Sequence, residues 1–240
     1  DSLKINTTLF RLTLSENRLG DAGVMFLSEG LMENSTLAEL YLDDNDIGYS
    51  GLESLSKALS RKDAGIQTLV LRNNPNLGRD GLACIDEAMA MNTNLRVLDM
   101  ANCGVGNDHG IAELGQAFPC GLEELFLDEN GIDDGGFKAL VKILGGSSSL
   151  CVLSLTCNDI TGYGCQALWD LLHEKRNTTL RSCYLQGNLV KEHHEAYRGV
   201  QYYLHLHKRG IRDAFRDDER ILCWTNPTES MRSSTFGFES

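Results

Sequence analysis

The chain has no run of 18 apolar residues, so no transmembrane helix and no membrane insertion are expected. It has no C-x-x-C pair. Its eight cysteines (Cys84, Cys103, Cys120, Cys151, Cys157, Cys165, Cys183 and Cys223) form no even framework. A disulfide scaffold is therefore not expected, and a reducing intracellular compartment such as the cytoplasm is the simpler expectation. There is no basic stripe. Net charge is −12, and residues 1–190 hold 14 Lys/Arg against 26 Asp/Glu, whereas residues 191–240 hold eight of each. With no cations to displace counterions, nucleic acid is an unsuitable partner. The acidic body keeps the chain soluble and favours a protein partner with a basic surface.

Chemistry is scarce as well. The glycine-rich stretch Cys103-Gly-Val-Gly lacks the Gly-Lys-Ser/Thr ending of a phosphate loop. Four of six histidines, His193, His194, His205 and His207, cluster late in the chain, but none are paired at i, i+4 as a helical zinc site requires. No Ser–His–Asp or Cys–His set can be assembled from spacing. No cofactor, metal or catalytic activity is expected.

What the chain does have is one unit, many times over. In residues 122–144, LEELFLDENGIDDGGFKALVKIL, the leucines fall as L-x-x-L-x-L, followed by Asn130 and Ile132. Alternation at Leu125, Phe126 and Leu127 predicts a short strand with one buried face. Phe137, Leu140, Val141 and Leu144 sit at i, i+3, i+4 and i+7, one face of a helix. Asp133 and Asp134 precede that helix, where carboxylates meet its orphan N–H groups. The leading apolar residue recurs at Leu9, Leu37, Ile66, Leu95, Leu122, Leu150 and Leu180, at intervals of 27 to 30. The asparagine recurs at Asn17, Asn45, Asn74, Asn130, Asn158 and Asn188, with Cys103 replacing it once. Units this short cannot bury their apolar faces alone, so they must stack.

These seven phased copies of L-x-x-L-x-L-x-x-N/C-x-L resemble the leucine-rich repeat. The period near 28 and the full helix per repeat resemble its ribonuclease-inhibitor-like class. The resemblance covers residues 1–190. It implies an α/β solenoid, curved, with a parallel sheet on the concave face and helices on the convex face. Residues 1–8 resemble the end of a repeat, so the array is expected to start inside one. Residues 191–216 read as a C-terminal capping helix, with Tyr197, Val200 and Leu204 inward. Residues 217–240 read as a tail outside the repeat phase. Its apolar Ile221, Leu222, Trp224, Phe236 and Phe238 are candidate anchors for a partner or for the array itself.

The remaining features read structurally. Asn74-Pro75-Asn76-Leu77 carries one extra residue and predicts a bulged loop. Asn6, Asn34 and Asn177 begin N-x-S/T sequons but share one repeat phase, as residues that end a helix would. Trp169 beside Leu168 and Leu172 reads as core. Cys103, Cys165 and Cys183 fall at inward positions by phase.

Strand alternation also selects what points outward: the third, fifth and seventh positions of each motif. Along these columns Tyr41, Phe126 and Tyr184 lie among Glu39, Asp43, Val70, Asp99, Glu124 and Asp128. Aromatic anchors inside a charged rim are the composition of an interface. The expected function is thus a non-catalytic protein-binding scaffold, acting through this face, the tail, or both. Three alternatives share the resemblance: a GTPase activator similar to the Ran-activating proteins, the sensor region of a NOD-like receptor, and a structural subunit of a large assembly. The Ran activators carry a long acidic tail, whereas this tail is charge-balanced.

Overall fold

Each strand is only three residues long, because one inward leucine per strand is all that a solenoid rung needs to bury. The computed structural model of the chain describes residues 2–78, 80–91, 94–106, 111, 121–174, 177, 179–191 and 193–208. Seven strands lie in chain order in one sheet: β1 (Arg11–Thr13), β2 (Glu39–Tyr41), β3 (Thr68–Val70), β4 (Val97–Asp99), β5 (Glu124–Phe126), β6 (Val152–Ser154) and β7 (Ser182–Tyr184). Every neighbouring pair is parallel. The register aligns Leu12, Leu40, Leu69, Leu98, Leu125, Leu153 and Cys183 in one row. From Leu40 onward that row is buried. Burying each leucine fully contributes about 2 kcal/mol, an upper figure that assumes an extended unfolded chain.

Helices α1 (Ser2–Ile5), α2 (Gly20–Leu31), α3 (Tyr49–Leu59), α4 (Asp80–Met91), α5 (Asp134–Leu144), α6 (Gly162–His173) and α7 (Glu195–Lys208) stand before, between and after the strands. In α5 the predicted face holds: Phe137, Leu140, Val141 and Leu144 are all buried. Its predicted cap holds too, since the Asp133 carboxylate accepts the Gly136 N–H at 3.0 Å. The final helix begins at Glu195 rather than Lys191, and a turn from Lys191 to His194 precedes it. It packs on α6 closely enough that a Cβ at Gly199 would fall 2.7 Å from the Trp169 ring. Trp169 is therefore partly buried against the core, with its ring 5.3 Å from that of His173.

Two side-chain ladders tie the rungs together. In the first, each motif asparagine looks back at the preceding loop. Asn158 Oδ1 accepts the N–H groups of Asn130 (3.0 Å) and Ile132 (2.9 Å), while its amide donates to the Leu127 carbonyl. Asn45, Asn74 and Asn130 do the same one rung apart. Cys103 interrupts the row in an informative place. Its thiol donates to the Leu71 carbonyl, but the loop behind it is the one with the extra residue. That loop closes on itself as a 3-10 turn, Pro75–Leu77, in which Leu77 N–H bonds the Asn74 carbonyl. The Asn74 N–H, which a motif asparagine's oxygen would accept, bonds the Cys103 sulfur instead.

The second ladder consists of the sequon asparagines. Asn34 and Asn177 are buried, and each accepts the two N–H groups that open the next strand segment. Asn6 does so at the start of the array. Ser147 replaces them in the sixth rung, with its hydroxyl accepting from Ser149 and Leu150. These side chains are occupied in holding the backbone, as the shared repeat phase predicts.

Candidate interaction surface

The face of the sheet opposite the helices is built entirely by register. Because Tyr41 aligns with Val70, Val70 with Asp99, Asp99 with Phe126, Phe126 with Ser154 and Ser154 with Tyr184, the fifth-position residues form one continuous row. At roughly 4.8 Å per strand, Phe126 lies about 14 Å from Tyr41 and about 10 Å from Tyr184. Tyr184 is 40% exposed, while Tyr41 and Phe126 are half-buried between their neighbours.

Tyr41 is held in place. Its hydroxyl donates to Glu39 Oε2 at 3.1 Å, and the Arg11 guanidinium stands 5.8 Å from the ring centroid. Arg11 Nε donates to the same Glu39 oxygen at 2.6 Å. This bond holds the Glu39 carboxyl below the usual carboxylate range, and burial followed by the Glu39 bond raises the Tyr41 phenol. A second pair sits near the middle of the face, where Arg72 Nε approaches Asp99 Oδ2 at 3.2 Å and the Ala101 N–H donates to Asp99 Oδ1 at 2.9 Å. Burial nonetheless dominates there and pushes the Asp99 carboxyl up. Asp43 accepts the Ser15 hydroxyl at 2.6 Å. Glu124 and Val70 are partly exposed on the face.

Asp128 departs from its expected place. Alternation aims it outward as a rim carboxylate, yet it is only 7% exposed. The Ser154 hydroxyl (2.5 Å), the Thr156 N–H (2.6 Å) and the Thr156 hydroxyl all donate to Asp128 Oδ1. Period-2 alternation gives the direction of a side chain, not whether the next strand's hydroxyls close over it. The two arginines that pair the face's carboxylates, Arg11 and Arg72, were visible in the same outward columns. Their spacing of 28 and 27 residues from Glu39 and Asp99 was the signal that marks them as cross-strand partners.

The tail candidates Ile221, Leu222, Trp224, Phe236 and Phe238 lie outside the described residues. Of the thiols, Cys103, Cys165 and Cys183 are buried as their phase predicts. Burial pushes Cys103 and Cys165 up to about 12 and Cys183 higher still, so none is a thiolate nucleophile. The His194 ring packs on Gly162. Among the described residues no group of three His, Cys, Asp or Glu side chains is placed to hold a metal ion. No helix among them is long and apolar enough to cross a membrane.

Comparison with known proteins agrees with this architecture. The family profile described as "Leucine Rich repeat" matches residues 6–28, 33–56, 92–111 and 146–168. The chain is 33% identical over 191 residues to the ribonuclease inhibitor of Sus scrofa, covering 78% of this chain and 41% of that protein. It is 34% identical over 166 residues to "NACHT, LRR and PYD domains-containing protein 12" of Mus musculus, covering 68% of this chain and 13% of the relative. The chain thus spans well under half the length of these relatives. Among solved structures, the leiomodin-1 actin-binding site 2 superposes with a TM-score of 0.57 at 19% identity, covering 68% of this chain and 91% of that one. A tropomodulin C-terminal domain from Caenorhabditis elegans gives 0.56 at 15%, covering 67% and 95%. At these identities the likeness is one of fold.

Proposed function

Because the chain is a leucine-rich-repeat protein of the ribonuclease-inhibitor-like class, we propose that it is a non-catalytic scaffold that captures a protein partner on the open face of its sheet. Proteins of this family generally work by binding other proteins. In this reading residues 1–190 are the binding array, 191–216 its cap and 217–240 an accessory tail. Tyr41, Phe126 and Tyr184 are the anchors, with Glu39, Asp43, Val70, Asp99 and Glu124 around them. The observation that supports the proposal is that the fifth-position residues share one register row and that Tyr41 in it is held by Glu39 and Arg11. Anchors ordered in advance lose less entropy on binding. Asp128 is removed from the rim set, because its carboxylate is consumed inside the face. The partner's complementary surface is basic, matched to the acidic excess of the array.

The test uses the chain as bait. Proteins captured by the wild type are identified, and one is titrated against Phe126→Ala and Tyr184→Ala. Each substitution should weaken binding about 30-fold, or about 2 kcal/mol, mainly through faster dissociation. Reversing Asp43 and Glu124 to Lys should instead slow association, with the effect shrinking as salt rises. Undiminished affinity in both aromatic variants sinks the reading. A second reading, the sensor region of a NOD-like receptor, is favoured by the 34% identity to the mouse NACHT-containing protein. Finding a nucleotide-binding domain in the same gene would select it. A GTPase turnover assay with the chain as activator addresses the Ran-type alternative.

A further inference from the structure

The arginines on and beside the strands follow a rule that breaks at β7. Arg11 Nε lies 2.6 Å from Glu39, Arg72 Nε 3.2 Å from Asp99 and Arg96 Nε 3.6 Å from Glu123. Each takes its carboxylate from the repeat that follows. Arg181 stands at the same motif position as Arg96, one residue after the leading leucine. Its counterpart carboxylate would come from the next repeat, and no strand follows β7 among the described residues. Arg181 is exposed and holds no ion pair among those residues.

Arg181 instead borders a cavity of about 230 Å³ between β7 and α7. Tyr184 and Gln186 line it from the strand side, and Gln201, His205 and Lys208 from the helix. The Gln201 amide donates to the Cys183 carbonyl at 3.5 Å, which ties this wall of the cavity to β7. The described lining contains no carboxylate, and neither His205 nor Lys208 has an acidic partner among the described residues. In a chain of net charge −12 this is the reverse of the general balance. The cavity between α3 and α4, for example, is lined by Glu53, Asp80 and Glu87.

Cations that converge without a counter-charge repel one another, and an anion between them removes that cost. The guanidinium fork accepts both oxygens of one carboxylate, while an ammonium acts as a point charge beside it. Sites for small organic ligands begin at roughly 300 Å³, so this volume suits one or two side chains instead. A second copy stacked on this end would bring Phe10 to the position of the missing carboxylate, and so supplies none.

We infer that the cavity binds an acidic segment of a protein partner, with one carboxylate on the Arg181 fork and a second near Lys208 and His205. This end of the array then selects the charge opposite to the one its open face selects. The inference does not rest on what that face captures, and its test changes no residue of the fifth-position row.

The probe is an acetylated, amidated hexaglutamate, titrated into the isotope-labelled full chain at low salt and followed by NMR. The side-chain amides of Gln186 and Gln201 should shift, and affinity should fall as salt rises. Arg181→Gln with Lys208→Gln should weaken binding at least tenfold. Lys138→Gln with Lys142→Gln makes the same charge change on α5 and should leave affinity within about twofold. All four side chains are exposed, so the variants fold. Hexaglutamine should not bind. No binding by the wild type, shifts that avoid the cavity, or an equal loss in the α5 variant overturns the inference. Inorganic phosphate that displaces the peptide at equal concentration also overturns it, in favour of a free-phosphate site.

Discussion

Asp134 caps the helix of the following repeat rather than its own. Its Oδ1 accepts the N–H groups of Thr161 at 2.7 Å and Gly164 at 3.0 Å, and the Thr161 hydroxyl donates to its Oδ2 at 2.5 Å. Asp21 repeats the arrangement on Gly48 and Gly51, where the glycine at the helix entry has no side chain with which to cap. Gly51 and Gly164 are the residues that permit it, since a Cβ there would fall 2.7 and 2.6 Å from the carboxylate oxygens. Asp134→Ala should therefore cost more than the local cap change Asp133→Ala. We expect about 2–3 kcal/mol against about 1 kcal/mol, read by urea denaturation. Equal costs would mean that the cross-repeat bonds add nothing.

The ladder asparagines make a graded prediction. Asn130 is buried and bonds the Cys103 and Val105 N–H groups and the Met100 and Asp128 carbonyls. Asn130→Ala leaves several backbone groups without partners and should cost about 3 kcal/mol or more. Asn17 is exposed and its amide reaches only Leu14 and Ser15 within its own loop. Asn17→Ala should cost about 1 kcal/mol or less. The ratio of the two losses in unfolding free energy, not either value alone, checks the ladder.

Neighbouring residues on one strand separate core from surface. Leu127 is fully buried between rungs, whereas Phe126 lies on the open face. Leu127→Ala should cost about 2–5 kcal/mol by opening a cavity. Phe126→Ala should cost clearly less, while carrying the binding defect described above. Equal destabilisation would reverse the assigned strand faces.

Two carboxylates on that face should show opposite pH signatures. The folded Glu39 carboxyl is lowered from its ordinary 4.5, by the Arg11 bond first. Its stabilisation is present above 4.5 and is lost as pH falls through the folded value. Asp99 is raised from 3.8 by burial, so its charged form opposes folding above the folded value, and this effect disappears as pH falls to 3.8. Glu39→Gln should thus lower the melting temperature at pH 7, and Asp99→Asn should raise or preserve it. Both differences should vanish in acid. Melting curves of the three proteins between pH 3 and pH 7 check the signs.

The period of 27 to 30 residues made nearly the whole scaffold legible, because a solenoid has one register to find and every copy reports it. Leu12 through Cys183 line up because each copy has the same count from leading leucine to strand. The face was legible only in direction. That Tyr41 points outward follows from alternation; that Glu39 and Arg11 hold it follows from a residue one rung away. Asp128 shows the limit most clearly. Its burial depends on hydroxyls at positions 154 and 156, two small residues whose own outward aim suggested an open surface. The cross-repeat cap at Asp134 was hidden for the same reason, since spacing within a repeat made it an acid for its own helix.

The asparagine ladder and the carboxylate caps run in opposite senses along the array. Asn158 serves the loop before it, and Asp134 serves the helix after it. Under mechanical load this leaves the two capped junctions, between rungs one and two and between rungs five and six, held by both devices at once. Detaching a rung from its successor strips acceptors from loop amides, and detaching it from its predecessor strips them from a helix entry. A stretched molecule should resist from either end and part abruptly across several rungs, rather than unravelling one repeat at a time.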